Sequence, residues 1–261
     1  MRTEIRGRWA LVTGASSGIG AALARELAAR EANLVLAARR GDVLDALAAE
    51  LRRDAGVTVE VVGVDLGASG GADRLFEEVR ARGIAVSILA NNAGFGAYGR
   101  FDEIDAETEK AMLDLDVVAV VRLTRLFAGP MRAAGFGRIL LTASTGAYQP
   151  TPLYATYSAA KAFVLSYGHA IRRELRGTGV TVTVLSPGVT RTDFHRVAGQ
   201  ETNLFKRMTM MEVAPVARAA ARALLRGKPE IVTGVLNKVL AFSARLLPRP
   251  ALAAVAGRLM A

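Results

Sequence analysis

Short apolar runs separated by longer amphipathic stretches constrain this chain more than any other feature. The runs Trp9 to Thr13, Asn33 to Ala38, Val57 to Val64, Val86 to Ala90, Gly137 to Leu141, Val180 to Ser186 and Glu230 to Thr233 have the length and composition of buried strands. Helical periodicity lies between them, near 19–30, 42–54, 71–82, 105–128, 155–176, 212–226 and 235–247. Strands that alternate with helices must return by right-handed crossovers, which builds one parallel sheet with helices on both faces. We therefore expect a single α/β domain over residues 1–261, Rossmann-like and doubly wound, with about seven strands. No Pro- or Gly-rich linker divides the series.

Composition narrows the possible functions. The chain has no cysteine, which removes disulfides, thiolate metal sites and cysteine nucleophiles. With two histidines besides, a catalytic metal is not expected. No run approaches the roughly 18 apolar residues of a membrane span, and the start lacks the apolar core of a secretory signal. A cytoplasmic location is the expectation. Of the 34 basic residues, which exceed the 24 acidic ones to give a net charge of +10, most are arginines scattered along helices. A nucleic-acid surface would gather them with aromatics, so none is expected.

In an open parallel sheet, ligands bind beyond the carboxyl ends of the strands. The unusual residues of this chain collect there. After the first run comes Thr13-Gly14-Ala15-Ser16-Ser17-Gly18-Ile19-Gly20, a turn into a helix whose free N–H groups suit a pyrophosphate. Its Gly-x-x-x-Gly-x-Gly spacing differs from the common dinucleotide fingerprint and taken alone is a weak signal. The fourth run ends in Asn91-Asn92-Ala93-Gly94, the fifth leads to Thr142-Ala143-Ser144, and a later helix opens with Tyr157-Ser158-Ala159-Ala160-Lys161. In this order the motifs closely resemble the short-chain dehydrogenase/reductase family in its form of about 250 residues, from the first strand through Ser186-Pro187-Gly188 to Thr192.

Tyr157 and Lys161 lie four apart and share a helix face, about 6 Å apart along the axis. A nearby ammonium favours the phenolate of a tyrosine that would otherwise titrate near 10. The resemblance implies that Tyr157 exchanges the proton with a carbonyl or alcohol oxygen and that Ser144 orients that oxygen. It also implies Asp65 and Leu66 at the adenine, Asn91, Ala93 and Gly94 at the cofactor-side loop, and Pro187, Gly188, Val189, Thr190 and Thr192 over the nicotinamide. Where the family carries an asparagine supporting a water beside the lysine, this chain aligns Asp116. A carboxylate there either sustains the relay or pairs with Lys161 and restrains it, and the latter would leave a cofactor-binding scaffold or redox sensor with little turnover. Ala38 stands where an NAD enzyme of this kind places its acidic residue, and Arg39 and Arg40 follow, which points to NADP(H).

Phe95, Tyr98, Tyr148, Leu153, Phe194, Phe205 and Met208 are candidate walls of an apolar substrate pocket, with residues 188–212 as the substrate lid. The expected substrate is a hydrophobic carbonyl compound or secondary alcohol, such as a steroid, lipid or aromatic ketone. His195 reads as a lid or surface residue. The last segment, 235–261, reads as a helical extension covering the sheet or meeting another subunit, with a membrane surface as the less favoured alternative. Homodimers or homotetramers are implied by resemblance.

Overall fold

The computed structural model describes residues 5–192, 194, 198–199 and 209–260. Seven parallel strands form one sheet: β1 (Trp9–Thr13), β2 (Asn33–Ala38), β3 (Val59–Gly63), β4 (Val86–Asn91), β5 (Gly137–Thr142), β6 (Val180–Ser186) and β7 (Glu230–Val232), in the order β3-β2-β1-β4-β5-β6-β7. The central strands are buried nearly throughout, as their continuous Val, Leu, Ile and Ala runs require when both faces are covered.

Each face carries its own core. On one side α1 (Gly18–Ala28), α2 (Gly41–Ala55) and α7 (Val213–Leu225) bury Leu23, Leu27, Leu44 and Leu224 against Leu34, Leu36 and Ile88. On the other, α3 (Gly71–Ala81), α5 (Val120–Ala133) and α6 (Ala155–Glu174) bury Leu75, Leu123, Phe127 and Val164 against Leu11, Leu89 and Leu141.

Two elements depart from the periodicity. The stretch 105–128, expected as one helix, begins as α4 (Ala106–Leu113), widens into a π-helical turn over Asp114–Ala119 and resumes as α5. The last segment forms two helices, α8 (Val235–Ser243) and α9 (Arg249–Met260), separated near Pro248, which cannot donate a helical hydrogen bond.

The chain reverses direction across the sheet between β1 and β4, so the loops after these strands diverge and leave a crevice. Thr13 ties its two sides. Its hydroxyl donates to Ala90 O at 3.2 Å and accepts from the backbone N–H of Asn92 and of Ala93, both at 3.0 Å. Asn92 Nδ2 returns a bond to Thr13 O at 3.1 Å.

Candidate active site

A cavity of about 600 Å³ runs along the carboxyl edge of the sheet, from the loop after β2 across the crevice to α6. At one end are Gly14, Ser16, Ser17, Gly18 and Ile19 of the glycine turn, with Arg39, Arg40, Asp65 and Leu66 beside them. Ser17 makes no side-chain cap to α1, and no acidic residue occupies the first turn of that helix. Its leading N–H groups are therefore left for an anion. Gly20 lies beneath this wall, where a Cβ would collide with Gly14 O and crowd Asn92 Nδ2, so only glycine lets the helix start so close to β1. Arg40 reaches back to Ser16 Oγ at 3.2 Å.

Farther along, Ala93 and Gly94 come from the β4 loop, and Pro187, Gly188, Val189, Thr190 and Thr192 come from the turn after β6. Asn91, expected to fix this loop on the cofactor side, does not itself reach the cavity. It is buried against α5, with Nδ2 on Thr124 Oγ1 at 2.9 Å, and Asn92 faces the site instead.

Ser144, Tyr157 and Lys161 meet at the far end. Ser144 ends the β5 loop and caps a 3₁₀ turn over Thr145–Tyr148, accepting from Gly146 N at 3.1 Å, which fixes its rotamer. Its hydroxyl shares the cavity with Tyr157 and favours the tyrosine's ionised form. Lys161 Nζ donates to Thr142 O at 3.3 Å and lies 5.6 Å from the centre of the Tyr157 ring.

Behind them is Asp116, fully buried inside the π-helical turn. Its Oδ2 is 2.9 Å from Lys161 Nζ, an ion pair whose angle falls outside that of a good hydrogen bond. Its Oδ1 accepts from Phe95 N at 3.2 Å. A Cβ on Gly94 would stand 2.6 Å from this Oδ1 and 3.1 Å from Lys161 Nζ, so the glycine makes room for the pair. Burial pushes the Asp116 carboxyl above its ordinary value, opposed by the Lys161 ammonium beside it and by the Phe95 amide.

Tyr157 keeps some exposure to the cavity, yet dense protein around it raises its pKa. Asp116 adds to the rise and the Ser144 hydroxyl opposes it. Lys161, expected to favour the phenolate, is paired here with the Asp116 carboxyl, and the raised Tyr157 pKa favours the neutral phenol.

Aromatic rings form an apolar wall. Tyr157 packs on Phe194 and Tyr154 at 5.2 and 5.6 Å between centres, and Tyr154 on Tyr98 at 5.3 Å. Phe95 and Phe194 line the cavity, whereas Tyr98 lines a smaller neighbouring cleft. Tyr148 does not line it, because its hydroxyl turns away to Ser186 Oγ at 3.1 Å and to the Glu230 carboxylate. Leu153 also lies off the cavity, its carbonyl accepting from Gly99 N at 3.0 Å. Phe205, Met208 and His195 lie outside the described residues. The two ends of the expected lid are joined where Met211 N donates to Val189 O at 2.8 Å and Arg191 N to Met211 O at 2.9 Å.

The sequence reading missed Tyr154, Gln149 and Thr151, and also Asn237, Leu240 and Ala241 of α8, all of which line the cavity. Asn237 packs directly on Gly188 and donates to Thr233 O at 2.8 Å. Among the described residues no group of acidic and histidine side chains could hold a metal ion, and no helix is long and apolar enough to cross a membrane.

Comparison with known proteins places this geometry. The short chain dehydrogenase family matches residues 8–203. The chain belongs to that family. Its members are NAD(P)-binding oxidoreductases of Rossmann fold that act on small molecules and are typically oligomeric. The chain is 32% identical over 199 residues to the very-long-chain 3-oxoacyl-CoA reductase of Anas platyrhynchos, a match covering 74% of this chain and 62% of that protein. It spans less than two thirds of the length of several such curated relatives. A short-chain dehydrogenase of Sphingobium yanoikuyae, solved with NADPH, superposes with a TM-score of 0.82 at 33% identity over 92% of this chain and 93% of that one. The bulky-bulky ketone specific alcohol dehydrogenase of Comamonas testosteroni superposes with a TM-score of 0.77 at 29% identity, over 92% of each.

Proposed function

We propose that this short-chain dehydrogenase interconverts a hydrophobic ketone and its secondary alcohol with NADP(H). The observation that carries the reading is that Ser144, Tyr157 and Lys161 line the same cavity as the uncapped glycine turn and Arg39.

The glycine turn and the N-terminus of α1 suit a pyrophosphate, and Arg39, exposed and with no carboxylate at the end of β2, suits a 2′-phosphate. Asp65 and Leu66 would border the adenine, and the residues from Pro187 to Thr192 the nicotinamide. When bound, the cofactor supplies or receives the hydride at the substrate carbon. The protein's own part is the proton and the oxygen. Ser144 and Tyr157 both line the cavity, where their hydroxyls would stabilise the charge that grows on a carbonyl oxygen under reduction. Tyr157, held neutral by burial and by Asp116, gives its proton from Oη; in oxidation it must first lose that proton, so oxidation gains with rising pH. Lys161 anchors the Tyr157 side of α6 through Thr142 O and Asp116.

Phe95, Tyr154 and Phe194 give the substrate end an apolar wall, which supports a bulky ketone rather than a small polar one. The names of the duck and Comamonas relatives agree with such a substrate. The test is a fluorescence titration with NADPH and NADH followed by a panel of apolar ketones. Preferential NADPH binding with ketone-dependent oxidation supports the proposal; preference for NADH, or no oxidation with any bulky ketone, counts against it.

A further inference from the structure

The two helices after β7 have unlike faces. Inward, Asn237, Ala241, Ala244, Leu252 and Ala256 are buried, and α8 closes one side of the cavity through Asn237, Leu240 and Ala241. Outward, the face is apolar. Val235 is 79% exposed, Phe242 61% and Leu246 71%, with Val239 and Leu247 about half exposed beside them. Val235, Val239 and Phe242 follow at i, i+4 and i+7, so they form one stripe along α8. A cover for the sheet does not need such a stripe, and scattered single apolar residues would not form one.

Charge says what the stripe fits. Residues 231–261 hold no aspartate or glutamate, while Lys238, Arg245, Arg249 and Arg258 are all exposed. Lys238 lies one turn from both Val235 and Phe242, so a cation flanks the apolar stripe on its own face. A second copy of this face would bring the same cations together with no carboxylate from this segment to offset them, and a two-fold contact repeats that clash on both sides. The subunit contact expected from sequence is thus disfavoured at this surface.

We propose that the outer face of α8 and α9 docks on an anionic lipid bilayer, with Val235, Val239, Phe242 and Leu246 entering the interface and Lys238 and the three arginines meeting the headgroups. Apolar side chains flanked by cations on one helix face have the composition of an interfacial helix that lies in the membrane plane. Because α8 also borders the cavity, docking places the apolar substrate end beside a medium in which bulky ketones dissolve.

The full chain is spun with vesicles of phosphatidylcholine alone or mixed with phosphatidylglycerol, at low and high salt. The expected result is pelleting with the anionic vesicles that weakens as salt rises. Phe242→Glu/Leu246→Glu should lower partitioning by about tenfold or more, and Lys238→Glu/Arg249→Glu should remove the preference for anionic vesicles. Thermal unfolding of each variant checks that the fold is kept. Native protein that stays in the supernatant, or Phe242→Glu/Leu246→Glu that pellets as the native chain does, overturns the proposal. So does a native dimer that ignores vesicles and dissociates in Phe242→Glu/Leu246→Glu, which would assign the face to a second copy. The assay needs neither cofactor nor turnover, so its failure is distinct from failure of the oxidoreductase reading.

Discussion

Asp116→Asn is the substitution on which the site's electrostatics can be judged. At 2.9 Å between Lys161 Nζ and Asp116 Oδ2, the gross attraction is about 6 kcal/mol at an effective dielectric constant of about 20. Against it stands the desolvation of two ions, several kcal/mol each, at side chains only 5% and 0% exposed. Burial is the stronger influence: the Asp116 carboxyl is pushed above its ordinary value of 3.8 in spite of Lys161 and the Phe95 amide. A folded pKa above the unfolded one means that the stability linked to this proton is whole below about 3.8 and is lost as pH rises through the folded pKa. Ionising the carboxyl is therefore a net cost to the fold. The amide is neutral at every pH and can still accept from Phe95 N. Asp116→Asn should match the native chain at about pH 4 and gain on it as pH rises to about 8, each unit by which the folded carboxyl titrates above the unfolded one being worth about 1.4 kcal/mol, or about 2–4 °C in Tm per kcal/mol. Thermal or urea unfolding of both proteins at the two pH values measures the gap, and other titrating groups cancel in the difference. A variant less stable than the native chain at the higher pH, or a gap of equal size at both, would refute the reasoning. Alcohol oxidation supplies a second readout. Without the carboxylate Tyr157 ionises more readily, so the alkaline rise of oxidation should move to lower pH.

Tyr157→Phe removes the proton donor but leaves the glycine turn intact; ketone reduction should fall by about 10²–10⁴-fold while NADPH titration by fluorescence is unchanged. Arg39→Asp should turn the NADPH to NADH ratio of Kd values towards NADH by about 10- to 100-fold, since it replaces a phosphate partner by a repelling charge. An unchanged ratio would move the phosphate site to Arg40, which already touches Ser16. Gly20→Ala puts a methyl group against Gly14 O and should cost about 1–3 kcal/mol in unfolding experiments, with NADPH affinity falling further than stability alone explains.

The order of strands and the position of the crevice are legible because a doubly wound sheet is written in periodicity, and Tyr157 and Lys161 share a face by helix geometry alone. What a side chain turns towards is harder to read. Alternation along β4 does contain the answer for Asn91: two residues after Leu89, it must point to the same face, into the core under α5, and that is where Thr124 holds it. Tyr148 had no such signal, since its partner Glu230 lies 82 residues away on the edge strand β7. The same limit governs α8. Its apolar residues, Val235, Leu236, Val239, Leu240 and Phe242, surround most of the helix, and a helix apolar nearly all round has no periodicity to say which side the protein covers. Of the polar residues that interrupt the pattern, Asn237 marks the inner face, because a buried amide needs the Thr233 carbonyl it finds there. Asp116 could be aligned from sequence but not valued. Its cost depends on how completely α4, the π-helical turn and the Gly94 loop exclude water from Lys161, a property of packing around the pair. A carboxylate that lowers stability and yet sits in contact with the lysine beside Tyr157 fits a residue kept for the proton chemistry of the site, and the opposite responses expected of Asp116→Asn in unfolding and in the oxidation pH profile put that reading at risk in one protein.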